Sequence, residues 1–137
     1  MDIETNDVKF LKEIEGKSVN ELRALRELLE WRATQVSVEL DRLVGKTLIE
    51  NLELGKYYCK EGDFGGKYYF KFTEGFKVVD GKLEIPNVIY VQNDGAFEYL
   101  PTEKFTYTDL GSSKVTEIPH EEYFRACVDL ASKIEME

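Results

Sequence analysis

The side chains best suited to chemistry in this chain are lysines interleaved with tyrosines. Gly55-Lys56-Tyr57-Tyr58-Cys59-Lys60 and Gly66-Lys67-Tyr68-Tyr69-Phe70-Lys71 are near-copies eleven residues apart. Aromatic rings can stack on bases while ammonium groups meet phosphates, the physical pattern of single-strand and nucleotide binders. Glu61-Gly62-Asp63-Phe64-Gly65 lies between the copies, so they read as two strands of one hairpin. If like pairs with like, Tyr57 and Cys59 share an apolar core face with Tyr68, Phe70 and Phe72. The other face then carries Lys56, Tyr58, Lys60, Lys67, Tyr69 and Lys71, the six residues expected to bind a protein partner or a nucleotide or other phosphate-bearing ligand. The plainer alternative is a solvated outer face, with lysines guarding an edge strand. A slip of one residue would scatter the cluster.

Other chemistry finds little support. No glycine-rich phosphate loop and no Gly-x-Ser-x-Gly nucleophile motif occurs. His120 is the only histidine and follows Pro119, where a surface position at a helix start is expected. Asp63-Phe64-Gly65 spells a kinase triplet without the rest of a kinase around it. Cys59 and Cys127 stand 68 positions apart, outside any Cys-x-x-Cys pair. With one histidine and two cysteines, a zinc site within one chain is not expected, and both thiols read as reduced. The 27 carboxylates are too widespread to locate a site. The expectation is a non-enzymatic protein with no catalytic residues, metal or cofactor.

Charge narrows the partners. The formal net charge is −9 and the sequence pI about 4.8. Residues 1–50, 51–117 and 118–137 are each net −3, with both signs interspersed until the last segment. Direct binding to duplex DNA or to an anionic membrane is disfavoured. Apolar runs reach only three or four residues, so no transmembrane helix is expected. The acidic start Met1-Asp2-Ile3-Glu4 lacks the basic and apolar regions of a signal peptide. These features suggest a cytoplasmic protein.

The elements that must position these residues are legible in outline. Asn6 can cap a first helix to Glu15, with Gly16 as its stop. Ser18-Val19-Asn20-Glu21 matches a capping box, so a long helix should begin at Val19 and run to Gly45. On it, Leu22, Leu25, Leu29, Ala33, Val36, Leu40 and Leu43 fall in one narrow stripe resembling a coiled-coil seam. Leu28, Trp31 and Val38 lie roughly opposite. A helix apolar on two faces usually meets two partners. The domain supplies one; the first helix or a second copy of the chain supplies the other, and the seam residues are the expected oligomer interface.

From about residue 55 the texture becomes short strands and tight turns. Asp80-Gly81 should join Phe76–Val79 to Lys82–Ile85, and Asn93-Asp94-Gly95 should join Asn87–Gln92 to Ala96–Leu100. Pro86 and Pro101 belong at strand ends or edges. Lys104–Thr108 and Lys114–Glu117 read as further strands. Residues 46–54 are ambiguous between helix and strand. After Pro119 a terminal helix should present Tyr123, Phe124, Cys127, Leu130, Ala131 and Ile134 as its apolar stripe.

The expected fold is therefore α+β. A long N-terminal helical arm (1–50) precedes a small antiparallel β-barrel or curled sheet of about six to eight short strands, closed by a C-terminal helix (51–137). The expected function is a self-associating binding protein, most simply a homodimer. It would act as an adaptor, or as an inhibitor that occupies a macromolecular partner, in the manner of a small phage or mobile-element accessory protein. The rival is a small-ligand protein holding a phosphate compound on the Lys/Tyr face or between subunits.

Overall fold

The computed structural model describes residues 3–62 and 65–136. The chain forms two compact units, Met1–Ser37 and Val38–Glu137. The division falls within the second helix rather than at the change of texture near residue 50.

In the first unit, α1 spans Ile3–Glu15, four residues longer at its start than Asn6 capping would allow. The second helix, α2, spans Val19–Asn51. Its capping box forms as expected. Ser18 Oγ accepts from the Glu21 amide at 3.2 Å, and the Glu21 carboxylate accepts from the Ser18 amide at 3.3 Å. Those bonds from Ser18 hold the Glu21 carboxyl below its ordinary range.

α2 does not stop at Gly45, and this settles residues 46–54: helix to Asn51, then a turn into the sheet. Gly45 is inside the helix because of what it touches. A Cβ there would lie 1.8 Å from the Tyr107 carbonyl oxygen. The contact is reciprocal, since a Cβ on Gly111 would lie 1.7 Å from the Asp41 carbonyl oxygen. The 41–45 turn of α2 and the 107–111 turn of a short helix thus meet backbone to backbone. That helix, α3 (Tyr107–Ser112), stands where a strand end and loop were expected. Its cap was readable: Thr106 Oγ1 accepts from the Asp109 amide at 3.0 Å, the signature of a hydroxyl followed three residues later by an acid.

The sheet is antiparallel, six-stranded and open rather than a closed barrel. Its strands are β1 (Tyr57–Glu61), β2 (Lys67–Lys71), β3 (Lys77–Val79), β4 (Lys82–Val91), β5 (Phe97–Thr106) and β6 (Lys114–Ile118). The order is β3-β4-β2-β1-β6, with β5 also on β4. Asp80 and Gly81 adopt φ of 51° and 72°, the left-handed pair of a two-residue hairpin turn.

Pro86 and Pro101 do not end strands; β4 and β5 run through them. Along one edge β4 pairs with β3 at Lys82–Glu84 and with β2 at Ile89–Val91. Pro86 and Asn87 fall in the gap, where a missing donor costs no ladder bond. Asn87 has φ of 57°, and the side-chain alternation resets there. Leu83 and Ile85 precede the reset, Val88 follows it, and all three enter the same core. β5 resets in step, so Phe105 and Leu100 both reach that core.

The core gathers Tyr58, Phe70, Phe72, Leu83, Ile85, Val88, Phe105 and Leu110, flanked by Leu48 and Ile49 from the end of α2 and by Leu52 just after it. The last helix, α4 (His120–Met136), packs on strands β1, β2, β4 and β5. Ala126 is buried and Tyr123, Cys127 and Leu130 are half-buried, while Phe124 and Ala131 face solvent instead of joining the stripe. Ile134 lies outside the residues whose side chains are described.

Candidate functional site

The twinned hairpin forms, but in the other register. Tyr57 pairs with Lys71, Tyr58 with Phe70, Cys59 with Tyr69, and Lys60 with Tyr68. Tyr58 and Lys60 therefore share a face with Tyr68 and Phe70, and Lys67, Tyr69 and Lys71 take the opposite face with Tyr57 and Cys59. The expected Lys/Tyr surface is split, and Tyr58 and Lys60 are buried. The reason is that both faces of this sheet are covered. Polar alternation reports register only when one face is wet.

Each of the six has a specific environment. Lys56 is half-exposed and lies 3.4 Å from a Glu117 carboxylate oxygen. The Tyr58 hydroxyl accepts from the Glu53 amide at 2.9 Å. Lys71 Nζ sits 5.5 Å from the Tyr57 ring centre. Lys67 is half-buried opposite Glu61. Tyr69 is pushed up to about 12, chiefly by burial and then by the neighbouring Cys59. Burial likewise raises the Cys59 thiol, whereas Lys67 nearby opposes the shift. Cys59 and Cys127 are both free thiols. In the folded protein Cys59 should react with a thiol reagent at pH 8 far more slowly than in urea. Equal rates in the two conditions would show that the site is open.

Lys60 holds the most unusual position. Its side chain is 3 % exposed on the core face of β1. Nζ lies 3.0 Å from Asp109 Oδ2 and 4.8 Å from the ring centres of both Tyr68 and Phe105. A buried ammonium needs such a counter-charge, and the two ring faces add cation–π attraction. Asp109 reaches it from the first turn of α3, and its own side chain is 48 % exposed. In front of the pair is a cavity of about 350 Å³ lined by Lys60, Gly62, Gly66, Tyr68, Tyr90, Asp109, Ser112 and Ser113. Tyr68 and Tyr90 stack with centres 4.5 Å apart. Sequence reasoning placed Lys60 on the outside and missed Asp109, whose partner lies far away in the chain.

The second candidate surface is on the helices. Among residues 6–37 no side chain is buried, and only Ile14 and Leu25 are half-buried. Phe10 and Ile14 of α1 and Leu22, Leu25, Leu29 and Ala33 of α2 line an apolar groove of about 370 Å³, rimmed by Arg26 and Glu30. α1 thus covers part of the seam, yet Phe10, Leu22 and Leu29 remain about 40 % exposed, and Val36 is 68 % exposed. Leu40 and Leu43, in the second unit, are exposed as well. The spacing is more regular than a heptad. Leu22, Ala33 and Val44 recur every eleven residues, as do Leu25 with Val36 and Leu29 with Leu40. Eleven residues over three turns is about 3.67 per turn, the repeat of nearly straight or right-handed helix pairing. On that period Val44 belongs to the stripe and Leu43 lies at its edge.

Among the described residues no group of three His, Cys, Asp or Glu side chains is placed to hold a metal ion. No helix of the described residues is long and apolar enough to cross a membrane. Compared with known proteins, the chain matches no family model and no curated sequence.

Proposed function

We propose that this protein is a self-associating, non-enzymatic binding protein whose helical segment joins copies of the chain, and which acts as an adaptor or as an inhibitor occupying another macromolecule. The observation that carries this reading is a helical unit with a continuous apolar stripe and no buried side chain among residues 6–37. A unit below about 40 residues rarely supports its own core without a cross-link, a metal or a partner. Charge favours a second copy as that partner. Residues 1–37 carry eight acidic and six basic side chains, net −2, whereas residues 38–137 carry nineteen and twelve, net −7. Like-charge repulsion between copies is therefore weakest along the helices, where both signs alternate beside the stripe. Two unpaired thiols suit a reducing compartment, and the cytoplasm is the proposed location.

Light scattering over a range of concentrations tests this. Wild-type protein should have the mass of a dimer or higher oligomer. Leu29→Glu and Val36→Glu each set a charge in the stripe and should shift the mass to that of one chain. Their β units should still melt as in the wild type, because both positions lie outside residues 38–137. A wild-type protein that stays monomeric at the highest concentration would end this reading.

A further inference from the structure

We propose that the cavity in front of Lys60 is a binding site for a neutral, hydroxyl-rich ring, the chemistry of a sugar or cyclic polyol. The site lies within residues 38–137 and does not depend on the helical stripe. Its polar groups come in both senses. Lys60 has three N–H donors, and Asp109 Oδ2 is the oxygen they meet. Ser112 and Ser113 donate their hydroxyl protons to the Asp109 carbonyl, at 3.2 and 2.7 Å. Both serines line the cavity, and with their protons so engaged their oxygens keep lone pairs to accept with. The Asp109 carboxylate keeps further lone pairs. Donors and acceptors together match hydroxyl groups, which both give and take hydrogen bonds.

The charge balance selects against ions. Lys60 and Asp109 neutralise each other, so a ligand anion would meet the Asp109 carboxylate and a ligand cation the Lys60 ammonium. Burial first, and then Glu103, Asp109 and Glu98, raise the Tyr68 hydroxyl, so carboxylates near the cavity oppose anions further. Tyr68 is sandwiched between Lys60 and Tyr90, so the apolar surface left for the C–H groups of a ring is the edge of Tyr68 and the outer face of Tyr90. A cavity of about 350 Å³ has room well beyond a single water. Few convergent polar groups beside aromatic rings is the usual build of a small-molecule site.

The test is an amide-shift titration of isotope-labelled wild-type protein with glucose, galactose, myo-inositol and inorganic phosphate, each to about 100 mM, a range that detects even millimolar affinity. At least one neutral ring should give saturable shifts at Lys60, Gly62, Gly66, Ser112 and Ser113, and phosphate should give none. Ser112→Ala removes an exposed acceptor and should weaken that binding about fivefold with the fold intact. Asp109→Asn keeps an acceptor oxygen but not the charge, and should weaken it about tenfold or more. Saturable phosphate shifts that strengthen in Asp109→Asn would make this an anion site and overturn the proposal. So would the absence of saturable shifts with all three rings.

Discussion

Gly111→Ala and Gly45→Ala are each expected to destabilise the β unit by about 3 kcal/mol or more, at the upper end of overpacking costs. Alanine in a helix interior ordinarily gains about 1 kcal/mol over glycine, so the expected sign is opposite to helix propensity. The reason is the partner atom. The new methyl would meet backbone, at 1.7 Å from the Asp41 oxygen or 1.8 Å from the Tyr107 oxygen, and backbone cannot rotate away as a side chain can. α2 and α3 would have to separate, opening the core around Leu110 and Leu48. For a unit of this size the loss should lower the melting temperature by more than about 10 °C. Gly16→Ala is the control, because nothing lies within 4 Å of a Cβ there. Thermal melts of the three variants decide the matter. A Gly111→Ala protein as stable as the Gly16→Ala protein would mean that the two helices do not touch.

The second large effect concerns the ion pair. Asp109→Ala leaves the Lys60 ammonium without its counter-charge, between the Tyr68 and Phe105 rings and the cavity. Breaking a buried pair costs about 3–5 kcal/mol. Here the adjoining cavity admits water to the ammonium, so about 2–3 kcal/mol is expected. Lys60→Met should cost less, because the carboxylate left behind is half-exposed and can be solvated. The double variant Lys60→Met with Asp109→Ala should be more stable than Asp109→Ala alone. Urea unfolding of the four proteins gives the coupling directly. Additive effects would mean that the two groups do not interact in solution.

What could be read beforehand followed from local signals. The capping box at Ser18, the Asp80-Gly81 turn and the change from helical to strand texture are each contained within a few residues, and each took its expected form. The stripe from Leu22 to Leu43 was also visible, because helical period needs no knowledge of the partner. The misreadings share one cause: the deciding contact came from elsewhere in the chain. Gly45 looked like a stop because Tyr107 was not in view. Lys60 looked like a surface lysine because Asp109 was not. Pro86 looked like a strand end because its gap exists only once β3 and β2 share an edge of β4, and Pro101 because it lies opposite Asn87, where the β4–β5 register skips a pair. α3 was the exception, since Thr106 and Asp109 advertised its cap locally.

The sharing of β4 among three strands also bears on the order in which the chain folds. β4 and β5 are neighbours in sequence and pair along nearly their whole length, so their hairpin closes a short loop at small entropic cost. The pairing of β1 with β6 instead joins the two ends of the β unit. A chain with this topology should nucleate at the β4–β5 hairpin, collect β3 and β2 on the free edge of β4, and dock β6 after the barrier has been crossed. Conservative truncations such as Ile85→Val should then slow refolding. Val115→Ala in β6 should leave refolding nearly unchanged and accelerate unfolding.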